Sequence, residues 1–534
     1  MIDQGGTFTD IISVAPDNQI ILKKLLSNKK KKNYHPVLEG INEILSSKKE
    51  YSKNPIKSLK IGTTIATNAL LERKGARVLL CTTKGFKDNF IIGTQQRKNL
   101  FTRHHIREKK IYDQIVEINE RVSSKGKIIK SINTAPIAAK LKYYHKKGYN
   151  SVAIVLINSF KFNKHENIIR QIAENIGFKY ISCSHKVSPT INFTTRGFTS
   201  LVDAYLNPIV QSYSAAIMNN IDAEQISFMQ SNGYLCEKKY FTGKSAILSG
   251  PAGGANAGKK IASLNKIKNL IGFDMGGTST DVWNYSNDIE KKLENEISSI
   301  FIKTPSLKID SIASGGGSIV NYSDRRLTVG PDSAGSYPGP ACYRNHGPLT
   351  LTDCNLILGR IIAKKFPKCF GSNGKKSISK ILSANAFKLL LKEIEKDYKI
   401  YNNIYQIAEA FIRIAVENMS NAIKKITTHE GYDIRKYSLL IFGAASGQYA
   451  CQIADKLRLK KIIFHPYSSL LSAYGVGISN YGNIFQTSIN KVLNKENICK
   501  SRISVNKLIN KDLNLRNKEY EIRLKYYGSN TIIS

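Results

Sequence analysis

The sequence predicts an α/β fold that contains one strand–turn–strand unit twice, and three observations carry that expectation. Asp3-Gln-Gly-Gly-Thr-Phe-Thr-Asp10 recurs as Asp274-Met-Gly-Gly-Thr-Ser-Thr-Asp281, with six of eight positions identical. Between the two copies, short apolar runs alternate with stretches of helical period. Beyond the second copy the alternation returns, around residues 438–465. Alternation of this kind builds layers in which helices cover a largely parallel sheet.

The repeat reads as a pair of β-hairpins. Leu270–Phe273 leads into the second copy, and apolar pairs follow both, Ile11 and Ile12 after the first and Val282 and Trp283 after the second. Consecutive glycines admit positive φ and let the backbone approach a ligand with no Cβ in the way. Amides in such turns converge on an anion, and threonine hydroxyls add donors. One Gly-Gly-Thr would be an ordinary turn. Two copies, each opened and closed by an aspartate, point to paired phosphate loops. Paired loops that serve one polyphosphate should face each other, with backbones within about 10–15 Å.

The remaining elements follow in order. Ser58–Ile61 reads as a strand, Thr64–Lys74 as a helix and Ala76–Thr82 as a strand. Tyr149–Asn158, Glu166–Ile176 and Tyr180–Ser182 repeat the pattern as strand, helix and strand. Gly-rich loops are expected at Ser314–Ser318 and Gly330–Gly339, and a helical region at Ser377–Glu430, broken near Tyr398–Asn403. The strand Ser438–Phe442 runs into Gly443-Ala-Ala-Ser-Gly447, and a helix over Ala450–Leu457 leads to a strand at Lys461–His465. Tyr481–Arg516 is a linker or surface helix, and Tyr520–Ile533 one or two strands of an unfinished β segment. The expected domains are 1–185, 186–480 and 481–534.

Composition narrows the function classes. The net charge of +40 comes from 80 basic residues, mostly Lys and scattered, without a recognisable nucleic-acid motif. A nucleic-acid footprint needs clustering as well as excess, so neither a specific nucleic-acid partner nor a membrane is expected. The eight cysteines are far apart and contain no CxxC pair, which predicts neither a zinc site nor a disulfide framework but buried thiols of a cytoplasmic protein. No apolar leader occupies the start, and the longest apolar run, Ser151–Phe160, is too short to span a bilayer.

Five further stretches join the hairpins in one resemblance. They are Gly62-Thr-Thr-Ile-Ala-Thr-Asn-Ala-Leu-Leu-Glu-Arg-Lys-Gly75, Leu248-Ser-Gly-Pro-Ala-Gly-Gly254, Ala313-Ser-Gly-Gly-Gly-Ser318, Val329–Tyr343, and Thr352-Asp-Cys-Asn-Leu356 with Gly359-Arg360. Over nearly its whole length the chain resembles the ATP-dependent hydantoinase/5-oxoprolinase family. Phe366–Gly371 and Gly447–Cys451 look more like the 5-oxoprolinase branch. The resemblance implies duplicated lobes of the sugar kinase/actin (ribonuclease H-like) type, with ATP in the cleft between them. It also implies phosphorylation of a lactam oxygen with ATP, Mg2+ and a monovalent cation such as K+, so that water opens the ring of 5-oxoproline to glutamate.

Residue roles follow from the same resemblance. Gly5, Gly6 and Thr7 should wrap one side of the polyphosphate and Gly276, Gly277 and Thr278 the other. Asp3 and Asp274 are the expected metal partners, mainly through water, since Mg2+ keeps several waters and takes one or two carboxylates. Asp10 and Asp281 either orient substrate or water or simply close a turn. Gly443 and Gly447 fall where this fold holds adenosine, and Gly315–Gly317 either border the cleft or form a tight corner. Thr63, Thr64, Thr67 and Asn68 offer neutral hydrogen-bonding groups to the substrate. Arg196 is either a fork for the substrate carboxylate or an arginine solvated or paired at a domain edge. Asp332 and Tyr343 are lesser candidates, and His185, His346 and His465 read as surface or cap residues.

Three departures from the family pattern complete the reading. The strand before the first hairpin is cut to Met1 and Ile2, the Cβ atoms of Ala444, Ala445 and Ser446 should crowd the nucleotide, and the C-terminal segment stops early. The expected function is therefore the phosphorylating half of a 5-oxoprolinase-like enzyme, working with a hydantoinase B-type partner subunit. The alternatives are a hydantoinase or acetone-carboxylase-type subunit acting on another carbonyl, and a truncated remnant without catalysis.

Overall fold

The computed structural model describes residues 1–27, 34–47, 55–94, 110–297, 300–371, 374–397, 400–489, 491–509 and 518–527. Two sheets dominate it, and each is built around one copy of the repeat. In the first, Ile2–Gln4 pairs antiparallel with Phe8–Val14, which pairs antiparallel with Ile20–Leu26. On its other side Ile2–Gln4 runs parallel to Leu59–Thr63, which runs parallel to Ile226–Met229. In the second sheet Asn269–Met275 and Thr280–Ser286 form the hairpin, and Ile309–Ile312 extends it antiparallel. Ser438–Phe442 and then Ile462–Phe464 add parallel strands on the far side. The strand order is thus the same in both sheets: three antiparallel strands, then two parallel ones.

A third sheet lies beside the first. Cys183, Ile154, Cys81 and Val116 mark its four parallel strands, Tyr180–Cys183, Ser151–Val155, Val78–Thr83 and Gln114–Ile118. Its central strands are buried along their whole length, and helices cover it. The strands read from the sequence at 58–61, 76–82, 149–158 and 180–182 all form, each within a few residues of its expected bounds. Residues beyond the expected boundary at 185/186 also contribute to the first sheet and its core. The long helix Phe193–Asn220 packs into that core, and Ile226–Met229 and Leu235–Cys236 enter its sheet. Ile300 and Ile302 join the same core.

Two helices tie the lobes together. Ser249–Leu264 and Leu471–Ile478 lie against each other between the two hairpin sheets, contacting strands of both. Their backbones meet directly at Gly253 and Gly475. A Cβ on Gly475 would overlap the Gly253 carbonyl oxygen, and a Cβ on Gly253 would sit 2.6 Å from the Ser472 carbonyl oxygen. Only glycine permits so close a crossing.

The helical region at Ser377–Glu430 resolves into Lys380–Glu395 and Ile404–Ile426. The second carries an apolar face buried on the second sheet. The segment expected to be a linker or surface helix contains the helix Lys495–Asn506, with no buried residue. The expected terminal strands do not form in 518–527, which is mostly exposed and makes only a bridge at Leu524. Too few apolar residues there find a partner surface to cover them. Residues 528–533 of that expected segment lie outside the described residues.

Candidate active site

The two hairpins meet tip to tip. Gly5 N–H donates to the Phe8 carbonyl at 3.0 Å, and Gly276 N–H donates to the Ser279 carbonyl at 3.0 Å, so both turns close in the same way. The Thr7 and Thr278 hydroxyls share a hydrogen bond of 3.1 Å. None of Gly5, Gly6, Gly276 and Gly277 has a positive φ. Glycine is needed here for space: a Cβ on Gly277 would overlap Thr7, and one on Gly6 would sit 3.1 Å from Asn68 Nδ2 and 3.4 Å from Thr278 Oγ1. The tips touch at the hydroxyls. A ligand entering between them replaces that bond.

Four carboxylates stand below the turns. Strand register places Asp3 opposite Asp10 and Asp274 opposite Asp281, and directly opposed side chains on one sheet face are close neighbours. Burial pushes all four above the ordinary aspartate range. Asp3 is raised to about 7 by desolvation first and then by Asp10 and Asp281, against a lowering by Lys24. Asp274 is raised well above its usual value by desolvation, then by Asp281 and Asp3. Desolvation raises Asp281 to about 6 and raises Asp10 against the pull of Lys24. Desolvation leads at all four, and repulsion from neighbouring carboxylates adds to it at Asp3 and Asp274.

The partners of these acids differ between the two halves. Asp10 forms an ion pair with Lys24, its register partner, and Lys24 also donates to the Ser469 carbonyl at 3.1 Å. Asp281, at the equivalent position of the second hairpin, faces Ser311 and accepts its hydroxyl. Asp274 Oδ2 accepts from Ser472 at 3.0 Å, in the first turn of the crossing helix Leu471–Ile478. Asp3 Oδ1 is buried without a hydrogen-bond partner. It is cradled by two glycines, since a Cβ on Gly250 would lie 3.1 Å from it and one on Gly62 3.3 Å. Gly250 belongs to the first turn of the other crossing helix, Ser249–Leu264. Both helices thus present their electropositive ends to the acids.

Folding linkage turns this cluster into a measurable quantity. Asp3 and Asp281 hold protons in the folded chain up to about pH 7 and 6, whereas an unfolded aspartate releases its proton near pH 4. Between these limits the folded chain binds more protons, so stability falls as pH rises. In magnesium-free buffer, the Tm advantage of Asp3→Asn over the native chain should grow from pH 5 to pH 8. A Tm difference independent of pH would remove the buried-charge account.

Other expected site residues are distributed unevenly. Thr64 and Asn68 lie against the first hairpin: Thr64 N–H donates to the Gln4 carbonyl at 2.9 Å, and Asn68 Nδ2 donates to Thr64 Oγ1 at 3.1 Å. Thr63 is fully buried, and its hydroxyl accepts from Ile65 N–H. The Thr67 hydroxyl accepts from Leu248 N–H at 2.9 Å. The Thr64 hydroxyl likewise has a backbone partner, donating to the Gln4 carbonyl at 3.3 Å. Arg196 matches neither expected role. It is fully buried and donates to Ser184 Oγ and to the carbonyls of Leu156, Thr190 and Ile191, so its fork is used up in holding loops of the first lobe together.

The glycine loops behave as braces. Gly316 N–H and Gly317 N–H donate to the carbonyls of Gly276 and Gly277 at 3.0 and 2.6 Å, backing the second hairpin. Gly443 takes a φ of 86°, and a Cβ there would overlap Asp274 Oδ1. Ala445 is buried toward Gly316, and the Ser446 hydroxyl turns back onto the Gly443 carbonyl. Ala444 and Gly447 are exposed. Asp332 is exposed, and Tyr343 is buried against Phe370. His185 is no surface residue but a partner of buried Glu166, at 2.5 Å. Cys451 and Cys499 are exposed, contrary to the expectation of buried thiols, while five of the other cysteines are buried.

Sequence reasoning missed Lys24, Ser311, Ser472, Gly250 and Gly475. Gly250 stood in the noted stretch Leu248–Gly254, where three glycines in seven residues signalled a close approach. The others carry no local signal.

Comparison with known proteins agrees with this arrangement. A model of the hydantoinase/oxoprolinase family matches residues 196–484, and one of the hydantoinase/oxoprolinase N-terminal region matches 1–177. A 5-oxoprolinase of Dictyostelium discoideum is 39% identical over 551 residues, covering 93% of this chain and 44% of its own length. The chain therefore spans under half of that relative. A crystal structure of an ATP-dependent caprolactamase from Pseudomonas jessenii superposes with a TM-score of 0.74 at 25% identity, over 95% of this chain and 75% of that one. A nucleotide-free acetone carboxylase shares the fold, with a TM-score of 0.78 at 19% identity over 94% and 74%. The chain belongs to the hydantoinase/oxoprolinase family.

Proposed function

We propose that this chain is the ATP-phosphorylating part of a cyclic-amide hydrolase of the 5-oxoprolinase kind, with lobes duplicated as in sugar kinases and actin. The observation that carries the reading is the meeting of two Gly-Gly-Thr turns above four half-buried aspartates. Gly5, Gly6 and Thr7 hold one side of the polyphosphate, and Gly276, Gly277 and Thr278 the other. The residues fit Mg2+, because Asp3 Oδ1 is buried without a partner and the donors are all hard oxygens. Asp3 and Asp274 would hold it, largely through water, and bound there it would neutralise phosphate charge.

An amide oxygen is a poor leaving group. In the proposed reaction the lactam oxygen attacks the γ-phosphorus of ATP and ADP departs. Water then adds to the activated carbon, the ring C–N bond breaks as the nitrogen takes a proton, and a second water cleaves the resulting acyl phosphate to the carboxylate and inorganic phosphate. The chain's own contribution is positioning and charge balance. Thr7 and Thr278 exchange their mutual hydrogen bond for phosphate oxygens. Lys24 pairs with Asp10 and holds it in place, which leaves Asp281 as the candidate for orienting the nucleophile. Thr64 and Asn68, beside the first turn, are the candidates for contacting the substrate. Gly443 and Gly447 would border the nucleoside.

Ring opening is assigned to the part that 5-oxoprolinases carry beyond the matched region, in the same polypeptide or as a hydantoinase B-type partner subunit. No described helix is long and apolar enough to cross a membrane, and the free cysteines support a cytoplasmic location. A second reading, phosphorylation of a different carbonyl, draws on the acetone carboxylase likeness of fold. The deciding experiment measures ATP hydrolysis with Mg2+ and K+, with 5-oxoproline, a hydantoin or acetone present in turn. Stimulation by 5-oxoproline, with glutamate released once the B-type partner is added, is expected. Stimulation by acetone alone selects the second reading, and no hydrolysis under any condition contradicts both.

A further inference from the structure

The second sheet presents the C-terminal ends of three adjacent parallel strands along one edge, in the order Asn269–Met275, Ser438–Phe442, Ile462–Phe464. In open α/β sheets, ligands lie across such carboxyl ends. The first strand delivers the phosphate turn and Asp274, and the second delivers Gly443, whose missing side chain leaves room for Asp274 Oδ1. The loop that follows is anchored at its near end, with Ala445 N–H on the Met275 carbonyl at 3.0 Å and Gly443 N–H on the Ser468 carbonyl at 2.9 Å. Its far end is Gly447, exposed and 3.8 Å from the Phe464 ring when given a Cβ.

Phe464 closes the third strand with 56% of its surface exposed. Its strand neighbour in register is Ile441, on the face of the sheet where the helix Ala450–Leu457 begins just past Gly447. The nearby aromatics His465, Tyr467 and Tyr474 pack on one another. Single exposed apolar residues are common, so position decides. Strands are about 4.8 Å apart, which sets Phe464 two strand spacings, about 10 Å, from Phe273, three residues before the phosphate turn. A nucleotide laid with its phosphates at Gly276–Thr278 and its sugar over Gly443 brings its base to Gly447 and Phe464.

We propose that Phe464 is the platform on which the nucleobase of the bound nucleotide stacks. This rests on the ATP-site reading above, and it assigns the recognition of an aromatic base, as distinct from a bare polyphosphate, to one residue. Base–aromatic stacking is sensitive to alanine substitution at the level of about tenfold or more in affinity. An exposed strand-end residue can be changed without opening the core.

The test compares binding of ATP and of inorganic tripolyphosphate, each with Mg2+, to the native chain and to Phe464→Ala, Phe464→Tyr and Phe464→Trp. The expected result is a loss of about tenfold or more for ATP in Phe464→Ala, no comparable loss for tripolyphosphate, and near-native ATP binding in Phe464→Tyr. In Phe464→Trp, ATP should quench the new indole emission and tripolyphosphate should not. Unchanged ATP affinity in Phe464→Ala overturns the proposal. So does an equal loss for both ligands, which would mean that Phe464 acts through the loop's structure. If the native chain binds tripolyphosphate but gains nothing from the base, this inference fails while the phosphate reading stands. If it binds neither ligand, the phosphate reading fails and takes this inference with it.

Discussion

Replacing Asp274 by Asn is expected to lower ATP turnover by about 10²-fold or more, the scale of losing one preorganised electrostatic group, while the fold survives. Asn keeps the size of the side chain and can still accept the Ser472 hydroxyl that now reaches Oδ2 at 3.0 Å. What disappears is the capacity to carry a negative charge beside Asp3, Asp10 and Asp281; desolvation first, and then repulsion from Asp281 and Asp3, raises the Asp274 carboxyl well above its usual range. Removing that charge relieves the apo chain, so Tm should rise or stay level as turnover collapses. This opposite movement of stability and activity is the diagnostic. Steady-state ATPase rates and thermal melts of the same preparation check it. Native turnover in a folded Asp274→Asn chain would exclude a metal role, and a loss of Tm parallel to activity would make Asp274 a structural residue.

Gly475→Ala should cost about 1–3 kcal/mol or more, the usual range for overpacking a tight contact, and should weaken nucleotide binding well beyond that of a distant variant of equal stability. The added methyl would overlap the Gly253 carbonyl oxygen where the crossing helices touch. Neither backbone can yield alone, because Gly253 faces Ser472 in return and Val476 packs toward Gly62. A shift of Leu471–Ile478 moves Ser472 off Asp274. A shift of Ser249–Leu264 moves Gly250 off Asp3. The substitution lies in neither hairpin, yet it should disturb both. Chemical denaturation and nucleotide titration of Gly475→Ala beside Gly197→Ala, whose methyl would overlap the Phe90 ring from a helix that is neither of the crossing pair, separate the effects. If the two variants lose nucleotide affinity in proportion to stability alone, the helices do not position the acids.

How much of this was written locally in the chain varies with distance along it. The hairpins were legible because a strand, a Gly-Gly-Thr turn and a second strand lie within a dozen residues, and duplication removed the ambiguity of a lone glycine turn. Parallel strands such as Ser151–Val155 were legible because a strand buried on both faces reads as a continuous apolar run. Of the two reasons the sequence offers for the glycines, free φ and the absence of a Cβ, only the second operates, and the contact it serves joins Thr7 to Thr278 across 271 residues. Ser472 reaches Asp274 across 198 residues, and no local pattern marks a serine for that task. Lys24 was one of many lysines until strand register set it beside Asp10. Arg196 shows the converse error. An arginine in a polar stretch reads as available, but its neighbours' carbonyls claimed every arm of the fork.

The central claim is that two hairpins serve one nucleotide, and calorimetric titration of ATP with Mg2+ tests it most directly. The native chain, Gly6→Val and Gly277→Val should be compared, since a side chain on Gly277 would overlap Thr7 and one on Gly6 would press on Asn68 beside Thr278. The account predicts one nucleotide per native chain and loss of that same site in either variant. Two nucleotides per chain, or a variant that keeps native affinity with one hairpin pried open, would contradict it.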